Sequence, residues 1–330
     1  MQRTSLLAAA CLLTGLAAAR ADAPKGLDIT TRPITRFAIG SDQTRFGGLE
    51  FTGGLEMVSG DRDLGALSAF RFTSPGKAFF GIADTGFWFW GEVEHDQAGA
   101  PSGITSFRMQ EMQGPDGAPS SEKWLTDGEG LAISGDVITA SFERKHRISQ
   151  YKLGPEGVGP ALRNLGLVVP AGELRQNRGF EALMPAPQDG PLGGALVAVS
   201  EKSLDPKGDI YAAILSGPQK GIFTVARSGE FDITDGAFLP SGDLVILERS
   251  FSMAQGVRMR MRRIAGDSVK KGARVDGPVL IEADMAYQID NMEGLDIWTR
   301  ADGATMLSLM SDDNHSILQR NLYLEFRLAE

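Results

Sequence analysis

The sequence predicts an all-β protein that forms a single β-propeller. Five copies of a two-part segment recur at spacings of 61, 52, 54 and 58 residues, measured between the aligned positions Ser68, Glu129, Glu181, Asp235 and Glu293. Each copy has a short apolar run, a turn and a second apolar run that ends near a charge, which is the pattern of a β-hairpin. Glycine is abundant, at 41 of 330 residues, as a fold with many tight turns requires.

The copies are spread along most of the chain. Their first runs are Leu64–Ala69, Asp127–Ala132, Asn177–Leu183, Phe231–Ala237 and Asp290–Asp296. Their second runs are Phe80–Asp84, Ile138–Glu143, Leu196–Glu201, Leu244–Glu248 and Met306–Asp312. A repeat of about 50 to 60 residues accommodates one four-stranded sheet, and such sheets repeated around an axis form a propeller. A large β-sandwich is the alternative, but it does not explain a fixed period with the same motif.

Two further strand-like stretches lie outside the five copies, at residues 33–60 and at Leu322–Leu328. We expect them to complete a sixth blade from both ends of the chain and so to close the ring, which favours six blades over five. A sustained helical period is absent. Only Ser252–Ile264 comes close to one, and its alternating Met and Arg suit a strand equally well.

The first 21 residues have the pattern of a secretory signal peptide. Arg3 supplies a positive start, Leu6–Ala19 is apolar, and Ala19–Ala21 forms a small-x-small cleavage signal. The apolar run is too short for a membrane span, which needs about 20 residues. We therefore expect cleavage before Asp22, a propeller domain over residues 22–330, and a periplasmic or secreted location without membrane insertion.

Composition excludes several classes of function. The chain has 33 Lys+Arg and 42 Asp+Glu, a formal net charge of −9, which argues against nucleic acid and anionic membranes because both require clustered basic residues. Cleavage of the leader removes Cys11, the one cysteine, and with it any thiolate nucleophile or zinc–thiolate site. The sequence contains no serine-hydrolase elbow, zinc-protease motif or phosphate-binding loop. We expect a monomer.

Paired acidic residues are the strongest chemical signal. In four copies, one acid lies near the start of the first run and another at the end of the second: Glu129 with Glu143, Glu181 with Glu201, Asp235 with Glu248, and Glu293 with Asp312. Antiparallel neighbours bring the start of one strand beside the end of the next. Both acids of each pair should therefore lie at one sheet edge, and all pairs at one rim of the propeller.

So many carboxylates at one rim repel one another unless they are solvated, protonated or neutralised. Outside the cytoplasm, Ca²⁺ is the natural neutralising ion, and it takes about six to eight oxygen ligands. The sequence thus predicts a calcium site. Its candidate ligands are Glu129, Glu293, Asp290, Asp312, Asp313 and Asn314.

Basic residues accompany the acids, with Arg178 before Glu181, Lys202 after Glu201, and Arg249 after Glu248. They allow two interpretations. They form ion pairs between blades that fix the loop ends, or they bind an anion beside the metal. Exposed ion pairs contribute only about 0–1 kcal/mol each.

The segments Asp127–Ala132, Asn177–Leu183, Leu247–Arg249, Asp290–Leu295 and Ser311–Asn314 resemble the bacterial phytase-like propeller family, which is often labelled "esterase-like activity of phytase". The resemblance extends from about Arg45 to Leu328. It implies an exported propeller and, by remoter analogy, a calcium-assisted hydrolase of small anionic esters or phosphoesters. A family fold does not fix an activity. Ser68 departs from the pattern, because the other copies carry an acid there.

In the hydrolase hypothesis, Glu181 is the base that takes a proton from water, while Arg178, Lys202 and Arg249 bind the substrate anion. The alternative is a non-catalytic propeller that binds a ligand or a protein at the same rim.

Overall fold

The structure is a computed structural model that describes residues 23–114, 120 and 123–329. The predicted signal peptide, residues 1–21, lies outside the described residues and stays a prediction. In the described part, helix is limited to α1 (Lys123–Thr126) and a 3₁₀ turn at Gly266–Ser268. Among the residues described, no helix is long and apolar enough to cross a membrane.

Strands make up the rest of the regular structure. As far as residue 165 the described strands are β1 (Lys25–Gly26), β2 (Thr30–Ile34), β3 (Arg45–Phe46), β4 (Leu49–Val58), β5 (Leu67–Phe72), β6 (Ala78–Ala83), β7 (Phe87–His95), β8 (Pro101–Glu111), β9 (Gly128–Ser134), β10 (Val137–Phe142), β11 (Arg147–Gly154), β12 (Gly157–Val158) and β13 (Arg163–Leu165). From residue 180 they are β14 (Phe180–Pro185), β15 (Leu196–Leu204), β16 (Ile210–Ile214), β17 (Gly221–Val225), β18 (Asp232–Phe238), β19 (Leu244–Ser252), β20 (Gly256–Ile264), β21 (Arg274–Val275), β22 (Val279–Ala283), β23 (Asn291–Thr299), β24 (Thr305–Asp312) and β25 (Asn321–Leu328).

These strands form five sheets, each of which is one blade. Blade 1 contains β5 to β8 with β1 at its edge, and blade 2 contains β9 to β13. Blade 3 contains β14 to β17 with β21, and blade 4 contains β18, β19, β20 and β22. Blade 5 contains β23, β24, β25 and β4, with β2 and β3 beside β4. The inner strands β5, β9, β14, β18 and β23 contact one another in this order, and β23 contacts β5, so the ring is closed. The predicted all-β propeller is confirmed.

The prediction of a sixth blade is wrong. Residues 33–60 and 322–328 supply β4 and β25, which lie side by side in blade 5. Leu324 of β25 pairs with Gly54 of β4 on one side and with Leu309 of β24 on the other. Without these two strands the last repeat would consist of the hairpin β23–β24 alone, with an unpaired edge. The ends of the chain therefore complete the fifth repeat instead of forming another.

Five apolar clusters fill the spaces between neighbouring blades. Between blades 1 and 2, the buried ring of Trp88 lies 5.0 Å from that of Tyr151. The next residue on the same strand, Phe89, faces the other way and stacks on Phe107 between blades 5 and 1. Side chains that alternate along a strand thus fill the two spaces on either side of the blade.

The inner strands of the five blades surround the central channel of the propeller. A buried ion pair connects two of these strands across the channel. The two terminal nitrogens of Arg71, on β5, each lie 2.7 Å from one carboxylate oxygen of Asp235, on β18. They also donate to the carbonyl oxygens of Leu183, at 3.0 Å, and Leu295, at 2.9 Å. The Asp235 carboxylate is fully buried and accepts from the backbone N–H groups of Leu295 and Gly236. One guanidinium therefore connects the inner strands of blades 1, 3, 4 and 5.

We predict that Asp235→Asn lowers the free energy of unfolding by about 3–5 kcal/mol, because Arg71 keeps its charge in a buried site without the counter-ion to which it is hydrogen-bonded. Urea unfolding followed by circular dichroism measures the change. The matched control is Glu92→Gln, since Glu92 forms an exposed pair with Lys77 at 3.6 Å. Such a pair is worth at most about 1 kcal/mol. Equal losses in the two variants would contradict the structural role of the central pair.

Candidate functional site

Each inner strand has a β-bulge near its beginning. The register skips Ser68 in β5, Glu181 in β14, Thr234 in β18 and Glu293 in β23. In β9, Glu129 and Gly130 together lie opposite Ser141. A bulge leaves one residue unpaired and redirects its side chain. The bulges thus define one equivalent position per blade, and three of the five positions are glutamates.

This register corrects the alignment made from the sequence. Thr234, and not Asp235, occupies the bulge position in blade 4. Asp235 is the next residue and meets Arg71 in the channel. The predicted partner Glu248 also lies elsewhere, because it is buried between Arg260, at 2.8 Å, and Arg262, at 2.6 Å. A one-residue shift in a strand turns a side chain to the opposite face, and the sequence pattern did not reveal the shift.

The second strands also have one equivalent position each, beside the bulge. The residues at these positions are Asp84, Glu143, Glu201, Arg249 and Asp312. Four blades therefore supply an acid there, three of them the acids of the predicted pairs, and blade 4 supplies an arginine. The other three predicted pairs, Glu129 with Glu143, Glu181 with Glu201, and Glu293 with Asp312, do lie at the same end of their blades.

Three of these acids converge between blades 2 and 3. Glu129, Glu143 and Glu181, here called the glutamate trio, have carboxylate oxygens within 4.8 Å of one another. Glu143 is 5% exposed and accepts a hydrogen bond from the backbone N–H of Gly179. A Cβ at Gly179 would lie 2.8 Å from the ring of His146, so glycine allows this close approach. Within the described part of the chain, no Lys or Arg forms an ion pair with the trio.

The predicted basic residues gather on the other side of the site, at blades 3 and 4. Arg249 lies 3.3 Å from Glu293 and 3.8 Å from Glu201. Arg178 lies 3.2 Å from Glu201. The other contacts are Arg178–Asp232 at 3.5 Å and Lys202–Asp232 at 2.8 Å. The structure therefore brings Arg178, Lys202 and Arg249 together, and their contacts connect neighbouring blades.

Two of the remaining predicted ligands, Asp313 and Asn314, belong to the loop between β24 and β25, and Asp290, directly before β23, contacts this loop. The Asp290 carboxylate accepts from the backbone N–H of Arg320 at 3.1 Å, and Asp313 accepts from the Asn321 side chain at 2.9 Å. Asn314 donates to the side chain of Gln319 and has a left-handed backbone conformation. These three residues hold the β24–β25 loop and are not brought into the trio. Asp312 stays close enough to Glu293 for the two charges to interact.

Burial governs the protonation of the acids at this end of the channel. Loss of hydration raises the pKa of Glu143 and of Glu293 to about 7 and that of Asp312 to about 8. The pKa values of Glu129 and Glu181 rise well above the usual range, first through burial and then through neighbouring carboxylates, among them Glu143 in both cases. Arg249 opposes the increase at Glu293. The site therefore holds protons at neutral pH unless positive charge replaces them.

The sequence analysis missed Glu143 as a metal ligand and named it only as the partner of Glu129. The hairpin rule was the signal that could have added it, because Glu143 ends the strand that returns beside Glu129. Arg71 was missed altogether. No local pattern distinguishes it from other strand arginines.

A comparison with protein families identifies the family of this chain. The family model for phytase-like proteins, described as "esterase-like activity of phytase", matches residues 62–315. The chain belongs to the phytase-like family. The matched range contains the glutamate trio and the basic residues beside it, so the resemblance drawn from the sequence motifs is confirmed. A comparison with curated proteins finds no match.

Solved structures give more distant likenesses. The endo-arabinase of Bacteroides thetaiotaomicron VPI-5482 is 12% identical with a TM-score of 0.49, and the match covers 80% of this chain and 94% of that one. The PQQ-bound aldose sugar dehydrogenase of Streptomyces coelicolor is 12% identical with a TM-score of 0.43, covering 92% and 100%. Myxococcus xanthus glutaminyl cyclase is 11% identical with a TM-score of 0.40, covering 81% and 92%. With TM-scores under 0.5, these likenesses support no conclusion about this chain.

We predict that the cation-free protein loses stability as the pH rises from about 6.5 to 8. Glu143, Glu293 and Asp312 have raised pKa values when folded, so the folded protein binds more protons than the unfolded chain in this window. The stabilisation is present at the low end of the window and is lost as these acids ionise. The window starts above the ordinary pKa of histidine because burial lowers the pKa of His146, which acts in the opposite sense.

Urea unfolding in the presence of a chelator, at pH 6.5, 7.25 and 8, measures this dependence. Glu143→Gln should make it shallower, because the variant removes one of the acids that ionise. Glu156→Gln, in the exposed turn between β11 and β12, should leave it unchanged. A free energy of unfolding that increases with pH in the wild-type protein would contradict the prediction.

Proposed function

We propose that this end of the channel binds calcium at the glutamate trio and hydrolyses an ester or phosphoester bond of a small anionic substrate. The observation that carries the proposal is the convergence of three carboxylates within 4.8 Å. Within the described residues no Lys or Arg pairs with them. The three side chains of the trio themselves offer carboxylate oxygens, which suit a hard cation such as Ca²⁺ better than zinc. Export, predicted from residues 1–21, agrees with a calcium-dependent protein.

The basic residues supply the second half of the proposed site. Arg249 is held between Glu201 and Glu293 and is 30% exposed, so its orientation is fixed while part of it stays accessible. A guanidinium has five N–H donors, more than these two contacts use. Arg249, supported by Arg178 and Lys202, would bind the substrate anion and neutralise the charge that grows on the phosphoryl or acyl oxygens.

Calcium at the trio would supply a positive charge that acidifies water and polarises the bond to be cleaved. The chain must then provide a base. Glu181 was the sequence-based candidate, but its position within the trio suits a ligand better. We assign the base to Glu293, which lies outside the trio and 3.3 Å from Arg249. Its pKa of about 7 suits proton transfer near neutral pH.

The alternative function is a non-catalytic propeller that binds a ligand at the same end of the channel. Its supporting observation is that Arg178, Lys202 and Arg249 already have carboxylate partners across neighbouring blades. Such a network also serves to fix the loops of blades 3 and 4. Calcium binding is compatible with both functions, whereas turnover of an ester is compatible with only one.

We predict that the wild-type protein binds calcium and that Glu143→Gln and Glu181→Gln each weaken binding more than about tenfold. Even residues that only support metal ligands cost about 10–100-fold when they are changed, so loss of a direct ligand should cost at least as much. Titration calorimetry at pH 8 measures the affinity. Glu156→Gln is the matched control and should bind like the wild type. Absence of calcium binding in the wild-type protein would contradict the proposed site.

We also predict that the calcium-loaded protein hydrolyses an aryl phosphate or an aryl ester. Glu293→Gln should lower kcat by about 10²–10⁴-fold, because it removes the general base. Arg249→Gln should cost about 10²–10³-fold through lost charge stabilisation. Release of nitrophenol measures the rates, and Arg300→Gln, outside the site, should keep wild-type activity. If the calcium-loaded wild type hydrolyses neither substrate, the enzyme proposal fails and the ligand-binding propeller remains.

A further inference from the structure

A cavity of about 460 Å³ opens beside the proposed site. One part of its wall is apolar and consists of Phe251, Val257, Met285 and Leu318. These residues come from three separate segments, namely the β19–β20 hairpin, the connection from β22 to β23, and the loop between β24 and β25. The volume falls within the range of about 300–1,000 Å³ that is usual for small-molecule sites.

The apolar side chains around this cavity are unusually accessible. Phe251 is 63% exposed, Met285 is 55% exposed and Leu318 is 87% exposed. Their sequence neighbours Met253 and Ile317 are exposed as well. Single exposed apolar residues are common, but a group of them on converging loops marks a binding surface. This group is therefore a candidate surface for binding an apolar group.

The polar part of the same wall belongs to the proposed active site. Arg249 lines the cavity and lies 3.3 Å from Glu293. Asn291 also lines it and donates a hydrogen bond to Glu293 at 2.8 Å. A ligand that fills the cavity would therefore direct its polar end toward Arg249 and Glu293. The cavity and the site share residues, so they form one continuous surface.

We propose that this cavity binds the apolar group of an amphiphilic anionic substrate, so that the natural substrate is an alkyl or aryl ester of a phosphate or carboxylate. This inference rests on the proposed function, because it assigns the substrate class of the same site. The apolar group covers Phe251, Met285 and Leu318, and the anionic group pairs with Arg249. A substrate with charge on every side, by contrast, would leave the apolar wall exposed to water.

The test uses alkyl phosphonates with methyl, butyl and octyl chains, whose carbon–phosphorus bond is not hydrolysed, so binding is measured without turnover. Calorimetry on the full calcium-loaded protein gives the affinity of each. A fully buried methylene is worth about fourfold in affinity, and we expect about twofold in this open cavity. Octylphosphonate should then bind about 16-fold more tightly than butylphosphonate.

The variant Phe251→Ser/Leu318→Ser should reduce this difference to less than about threefold, since it removes most of the apolar wall. Both residues are exposed, so the fold should tolerate the change. The matched control is Leu162→Ser, because Leu162 is 62% exposed in blade 2, outside the cavity, and the variant should keep the wild-type difference.

Several results would overturn the inference. They are equal affinity for all chain lengths, no binding of any phosphonate, or a chain-length dependence that the double variant retains in full. A wild-type dimer that Leu318→Ser converts to a monomer would also overturn it, because the apolar loops would then contact a second copy. Chain-length-dependent binding without hydrolysis of any ester would support the cavity and refute only the enzyme proposal.

Discussion

The arrangement of the five blades depends on one guanidinium at the propeller axis. Arg71 binds Asp235 and carbonyl groups on the inner strands of three other blades, and so it provides hydrogen-bond donors to backbone oxygens of blades 3, 4 and 5. It lies three residues beyond the bulge at Ser68 along β5. Arg71 therefore lies farther along the channel than the bulge positions that contribute to the glutamate trio. A second cavity, lined by Arg71, Phe72 and Trp298, lies at the opposite end.

The five blades provide equivalent positions around the site, and the residues that differ between blades at these positions determine its chemistry. Every blade offers one bulge residue and one residue at the end of the second strand. In chain order the pairs are Ser68/Asp84, Glu129/Glu143, Glu181/Glu201, Thr234/Arg249 and Glu293/Asp312. Blades 2 and 3 place their acids close together, whereas blade 4 replaces both acids. The result is a polarised site, with carboxylates on one side and Arg249 on the other.

This concentration of buried acids is unfavourable for folding. The raised pKa values of Glu143, Glu293 and Asp312 show that ionising them costs free energy in the folded state. This cost is offset by the apolar clusters between the blades and by the pairing of β4 with β25, which stabilise the fold. These three acids lie at one end of the channel, where a bound cation would offset the repulsion among them.

The sequence by itself determined the repeat, the hairpins and the location of most acids at one end of the blades, because each of these is encoded within a single repeat. Tertiary structure alone decided the rest. The bulge that moves Thr234 into the place assigned to Asp235 depends on pairing with β19, and the merging of β4 with β25 replaced the expected sixth blade. The contact between Arg71 and Asp235 joins residues 164 positions apart. Such contacts form only when the ring closes, so the repeat pattern of the sequence does not predict them.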